Sequence, residues 1–304
     1  MKNPDYWKTY YVVESNAEEI EKNLKRTSFV SNGENFELIY FEKDKNAPSI
    51  LISPGSGGHS YVFAELGYVM HRKGYNVFIM PKHGGFTITE LLPRHRDALQ
   101  YIARNFNDRV GVFAEGLGGW AAFYLALLPD ASMKSIAIQN GPAIMTEKEY
   151  QRAILSGPGP ARRRRILLPF LKVLGKVMPW FPIPLSLYLD FDSLIDTQKE
   201  NREIELRLVR DGYLHDPDFD KHYPLSAVLS LISTPPPRPL SELVIPTMFM
   251  VASRGFTPEY FRELFARLPV SKKKKIEVNG SVYWMLSRPA EAAGVICGWF
   301  NETL

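Results

Sequence analysis

Arg109-Val-Gly-Val-Phe-Ala-Glu-Gly-Leu-Gly-Gly-Trp-Ala-Ala-Phe-Tyr124 is the stretch that decides the fold. Its first residues are a short apolar run with the density of a buried strand. The glycines that follow break it at Gly116, and from Leu117 the apolar spacing is helical. A strand that turns sharply into a helix fits the spacing G-x-S-x-G, in which a strained turn lifts a serine hydroxyl above a sheet. Here the five positions are Ala114, Glu115, Gly116, Leu117 and Gly118, so the serine position carries no side chain.

The flanks repeat the alternation. Upstream, Phe36–Phe41 and Ser49–Ser53 read as strands on either side of a charged turn. A glycine-rich loop, Pro54–Gly58, opens a helical stretch to Arg72. Gly74–Met80 is the next strand, and Thr87 to about Phe106 the next helix. Downstream come a strand at Ser135–Gln139, then Thr247–Val251 and Lys275–Val278 as strands, with helices at Pro258–Leu268 and Pro289–Phe300. Strands alternating with helices imply an α/β fold with a doubly wound, mostly parallel sheet. The alternation stops between Ala143 and Pro239, which is rich in proline, arginine and aromatics. The expected division is therefore a core of residues 1–142 and 240–304, with 143–239 inserted as a helical cap.

Composition narrows the function. The 304 residues are 45% hydrophobic and 23% charged, with a net charge of +4. That balance suits a globular domain and argues against a dedicated nucleic-acid binder. The lone cysteine, Cys297, excludes an internal disulfide or a thiolate metal cluster. Neither a signal-like N-terminus nor a membrane-spanning run is present, so a cytoplasmic protein is expected. The chain has no phosphate-cradling G-x-x-x-x-G-K and no zinc-binding H-E-x-x-H; no cofactor and no metal are expected.

With this order of elements, the chain resembles the α/β-hydrolase superfamily over nearly its full length. The likeness is to capped lysophospholipases and monoacylglycerol-lipase-like serine hydrolases. Ser53-Pro-Gly-Ser-Gly-Gly-His59 looks like the oxyanion loop, Pro81-Lys-His-Gly84 like the P-x-H-G turn, and Ala114–Gly119 like the nucleophile elbow. Ile245-Pro-Thr-Met-Phe-Met-Val251 looks like the strand that delivers the triad's acid.

The resemblance fails where it implies chemistry. Gly116 replaces the serine, Gly255 the acid in Ala252–Pro258, and Tyr283 the histidine in Asn279–Trp284. No aspartate follows Asp220 and no histidine follows His222; Glu259, the nearest carboxylate, opens a helix. Glycine has no oxygen with which to attack an ester. Tyrosine, with a pKa of about 10, is a poor base at neutral pH. The residual acceleration from an oxyanion hole and binding alone is about 10³–10⁴ over water, too little for a working esterase. An elbow nucleophile also costs about 1–3 kcal/mol of backbone strain that glycine relieves. Three different replacements, none of them alanine, point to natural loss rather than deliberate disabling.

What remains is a pocket. The resemblance implies oxyanion donors from the backbone of Leu117 and of Ser56 or Gly57, with Tyr283 as a further ligand contact. His59 and Glu115 are candidates for other acid–base chemistry, each with a plain alternative: His59 as a helix-capping residue, Glu115 as a side chain turned away beneath the turn. His83 is expected to be structural. In the insertion, Arg162–Arg165 precedes apolar runs at Ile166–Leu171 and Val177–Leu185, which suits either a cap's own core or weak contact with a membrane surface. Lys272–Lys275 reads as a charged surface turn. The leading expectation is a small, largely apolar, carbonyl-containing ligand bound without ester hydrolysis. Three rivals stay open. One is a non-hydrolytic cyclase, lyase or isomerase using the residual oxyanion hole; another is an esterase or lipase whose triad was replaced in this sequence; the third is a scaffold acting through its surface. The oligomeric state is not fixed by the sequence.

Overall fold

The computed structural model describes residues 5–151, 171, 173–187, 191–255 and 257–304. The arginine run Arg162–Arg165, most of the apolar run that follows it, and Phe256 lie outside the described residues.

An eight-stranded sheet runs through the molecule. Its strands are β1 (Lys25–Ser31), β2 (Glu34–Phe41), β3 (Ser49–Ser53), β4 (Asn76–Ile79), β5 (Val110–Glu115), β6 (Ser135–Gln139), β9 (Thr247–Arg254) and β10 (Lys273–Ser281). They lie in the order β1-β2-β4-β3-β5-β6-β9-β10. From β4 to β10 every pairing is parallel, while β2 runs antiparallel to both its neighbours. Every residue of β3, β4 and β6 is buried, as strands covered on both faces require.

The helices are α1 (Tyr6–Tyr11), α2 (Ala17–Asn23), α3 (Ala64–Arg72), α4 (Ile88–Asn105), α5 (Gly116–Ala126), α6 (Lys199–Glu205), α7 (Leu225–Ser233), α8 (Pro258–Arg267) and α9 (Pro289–Thr303), with shorter turns between them. Helices α4, α5 and α8 bury their apolar faces on one side of the sheet. Helices α1, α3 and α9 do so on the other, which makes the sheet doubly wound. Cys297 is buried in α9, as its apolar surroundings in the sequence suggest. Helix α4 starts where Glu90 accepts the N–H of Thr87 at 2.7 Å, half of a capping box.

Three readings change. The strand expected from Phe36 is the second arm of a hairpin, since β1 pairs with it in full register across Asn32–Gly33. Both turn residues have positive φ, 50° and 81°, the geometry Asn-Gly favours. The lysine run is not a surface turn: Lys273–Lys275 begins β10, an edge strand, where lysines deter further pairing. Lys273 Nζ donates to the carbonyls of Phe265, Ala266 and Leu268, satisfying the end of α8. Within 143–239, a short antiparallel pair, β7 (Pro182–Pro184) with β8 (His222–Pro224), accompanies the helices. The prolines there hold an extended backbone and need no ladder partner on their outer side.

Candidate functional site

The loops after β3, β5, β6, β9 and β10 gather at the carboxyl ends of the parallel strands, where open α/β sheets place their ligands. Gly116 lies at the junction of β5 and α5 with φ of +51°, a left-handed conformation that glycine adopts without strain. A Cβ built there would meet nothing closer than the Cα of Gly55, at 3.6 Å. The turn therefore has room for a side chain that the sequence does not supply. The N-terminus of α5 is tied to the glycine-rich loop by Gly118 N–H donating to the Pro54 carbonyl at 3.1 Å.

The other two positions singled out in the sequence are also brought close. A Cβ on Gly255 would lie 3.3 Å from Asn140 Oδ1 and 3.5 Å from Val282, the residue before Tyr283. Tyr283 is half-buried; its N–H donates to Ser281 Oγ at 3.0 Å, and its carbonyl starts the helical turn Trp284–Ser287. Trp284 is buried beside it and donates to Gln139 Oε1, at the end of β6, at 2.9 Å.

Glu115 turns toward the glycine-rich loop. Its carboxylate lies against Gly55, whose N–H it accepts, and a side chain at Gly55 would run into it. Burial raises the carboxyl to about 7, against the pull of the Gly55 hydrogen bond. The residue keeps some accessible surface, while its carboxyl is enclosed by protein.

The loop itself is engaged from 143–239. Gly57 N–H donates to the hydroxyl of Tyr223 at 2.8 Å, and Tyr223 is buried. Ser56 also hydrogen-bonds that hydroxyl, while burial holds the phenol well above its usual pKa. Phe219 and Leu185 fill the space over Gly57, and Asp220 N–H donates to the Gly57 carbonyl.

His59 caps the turn Ser60–Phe63, with Nδ1 accepting the N–H of Tyr61 at 3.3 Å. It is buried rather than exposed. Its Nε2 donates to Asp216 Oδ2 at 2.5 Å, and the same oxygen accepts from the Tyr11 hydroxyl. Burial pushes the Asp216 carboxyl up, but these hydrogen bonds outweigh it and hold the group below its usual value. Two further contacts join 143–239 to the neighbouring loops. Glu205 accepts from Ser281 and Ser287, at 2.6 and 3.0 Å, on either side of Tyr283. Arg254, next to Gly255, donates to the Ile195 carbonyl at 3.0 Å.

His83 belongs to a buried group at the end of β3. Ser53 Oγ lies 2.9 Å from His83 Nε2 and 2.7 Å from His95 Nε2. His95 Nδ1 donates to the Leu91 carbonyl, so its Nε2 accepts from Ser53, leaving the serine to accept from His83. Burial lowers His95 to about 4 and His83 well below its usual value. Both rings are neutral and structural at pH 7.

A depression of about 570 Å³ lies elsewhere, at the amino ends of the strands, between Leu127, Met133 and Ile245. Its charged rim is already paired, Lys134 with Asp108 and Arg238 with Glu242. It lies at the wrong end of the sheet for the site, and the loops around Gly116 are the stronger candidate. Among the described residues no group of three or more His, Cys, Asp or Glu side chains could hold a metal ion, and no helix is long and apolar enough to cross a membrane.

No protein-family model matches this chain, and no curated protein does. Solved structures do. A monoacylglycerol lipase from Paleococcus ferrophilus is 17% identical, with 92% of this chain and 98% of that chain covered and a TM-score of 0.62. A soluble variant of the monoglyceride lipase of Saccharomyces cerevisiae, in complex with a substrate analog, is 11% identical, with 96% and 98% covered and a TM-score of 0.67. The enol-lactonase of Burkholderia xenovorans is 16% identical, with 90% and 100% covered and a TM-score of 0.59. The chain has the α/β-hydrolase fold. At these identities the likeness is one of fold, and within this α/β-hydrolase fold the activity has to be argued from the site.

The sequence reading missed Tyr223, Asp216 and Glu205. None carries a local signal, because each acts on a loop distant in the chain. The nearest hint was the extended, proline-flanked Pro182–Pro184 and Pro224, which mark the strand pair that carries Tyr223.

Proposed function

We propose that this protein binds a small, largely apolar, carbonyl-bearing ligand over Gly116 and does not hydrolyse it. The observation that carries the reading is the turn at Gly116: left-handed, open above, and without an oxygen. Gly255 and Tyr283 supply neither the carboxylate nor the imidazole of a serine hydrolase. In this reading 143–239 is a cap, and Tyr223 lends its hydroxyl to the Gly57 amide, where a ligand oxygen would otherwise bind. The cap's exposed Val177 and Trp180 support weak contact with a membrane surface.

The test is a fluorophosphonate probe and a panel of p-nitrophenyl esters, applied to the wild type and to the variant carrying Gly116→Ser, Gly255→Asp and Tyr283→His. A silent wild type beside a labelled variant is the expected result. Labelling or brisk turnover by the wild type would sink the reading.

A second reading is favoured by Glu115. A carboxyl raised to about 7 is suited to proton transfer near neutrality. In that case the protein is a non-hydrolytic enzyme acting on a carbonyl compound. It would then exchange α-protons of bound ketones with deuterated water, and Glu115→Gln would abolish the exchange.

A further inference from the structure

We propose that Glu115 makes the pocket over Gly116 selective for neutral acyl compounds, such as esters, amides and ketones, over the matching free carboxylic acids. The proposal rests on the ligand-binding reading above. Glu115 closes β5 one residue before the turn, and its carboxylate lies across Gly55. Gly55 is also the nearest neighbour of the open space at Gly116. A ligand seated over Gly116 therefore stands beside that carboxylate.

The surroundings do not offset the charge. Among the described residues Glu115 has no cationic partner. Asp220 brings a second carboxylate near the Tyr223 phenol, and the cation beside it, Lys82, is already paired with it at 2.9 Å. A hydrogen-bond donor does face the loop: the Tyr223 hydroxyl accepts from Gly57 N–H and from the Ser56 hydroxyl, which leaves its own proton for a ligand oxygen. A neutral carbonyl takes that proton without meeting a like charge. A carboxylate takes it only against Glu115. In a partly dry site such a pair of like charges is worth about tenfold or more in affinity. Of the titratable groups around it, Tyr223 stays protonated because burial raises its phenol, whereas Glu115 is ionised above about 7.

The experiment measures binding of methyl octanoate and octanoic acid by calorimetry at pH 8.5, to the wild type, Glu115→Gln and Glu115→Asp, with circular dichroism confirming each fold. In the wild type the ester is expected to bind about tenfold tighter than the acid. Glu115→Gln should bring the two within about threefold, through a gain for the acid, and Glu115→Asp should keep most of the gap. Equal or tighter binding of the acid by the wild type would overturn the proposal. So would an unchanged ratio in Glu115→Gln with the ester still bound. Binding of neither ligand to any of the three proteins would instead remove the ligand-binding reading, and the proposal with it.

Discussion

The sheet and the segment 143–239 are held in partly different ways. Strands β3, β4 and β6 are buried along their whole length, and most of their side chains make apolar contacts that are tolerant of direction. The segment adds buried apolar side chains to that core, Leu185, Leu208 and Leu231 among them. It is held as well by polar contacts to α1 and to the loops at the carboxyl ends of the strands. Those polar contacts include His59 and Tyr11 on Asp216, Ser281 and Ser287 on Glu205, Arg254 on Ile195, and Gly57 on Tyr223. A lost methyl in the sheet is shared among many neighbours. A lost partner in the segment leaves a buried polar group with nothing to bond. In the proposed reading, the loops that would carry hydrolytic residues serve as sockets for a cap.

The sharpest way to break that contrast is Asp216→Ala. It strands His59 and the Tyr11 hydroxyl, both buried, and should cost about 3–5 kcal/mol in urea unfolding. A cost under 1 kcal/mol would mean that the polar fastening is ornamental. Acid titration probes the layer beneath. Because the folded chain holds His95 near 4, below its unfolded value of 6.5, the stability it contributes is complete above 6.5 and is lost as pH falls toward 4. That loss should amount to about 3 kcal/mol, read as a falling urea midpoint.

Glu115 works in the opposite direction. Its folded value, about 7, lies above the unfolded 4.5, so stability falls as pH rises between the two and levels off above 7. Glu115→Gln should then raise stability at pH 8 by about 3 kcal/mol and leave it nearly unchanged at pH 4. Smallest is Gly116→Ala. The space is open, so only the left-handed backbone opposes it, at about 1 kcal/mol in thermal or urea unfolding. A much larger loss would show that the turn has no room for a side chain.

The two regions also differ in how far the sequence discloses them. Apolar density and glycine punctuation are local, so β3, β5, β6 and the turn at Gly116 were legible. The hairpin's first arm went unread: Asn32–Gly33 marks its turn, but the alternation is weak because most of β1 is exposed. The lysines of β10 hid a strand by their charge. The segment's fastenings were not legible, since Tyr223 meets Gly57 only through a chain separation of 166 residues. For Glu115 the residue type was visible, but whether it faced the loop or turned beneath it depended on its packing against Gly55.

One of those fastenings bears on how the chain comes off the ribosome. Tyr11 and Asp216 are 205 positions apart. At a synthesis rate of about 5–20 residues per second, α1 waits roughly 10–40 s for the aspartate that will receive its tyrosine. Throughout that interval the Tyr11 hydroxyl lacks this partner, while Trp7 packs on the nearer Tyr61. The hydrogen bond from α1 to Asp216 thus closes only late in synthesis, after most of the sheet has been made.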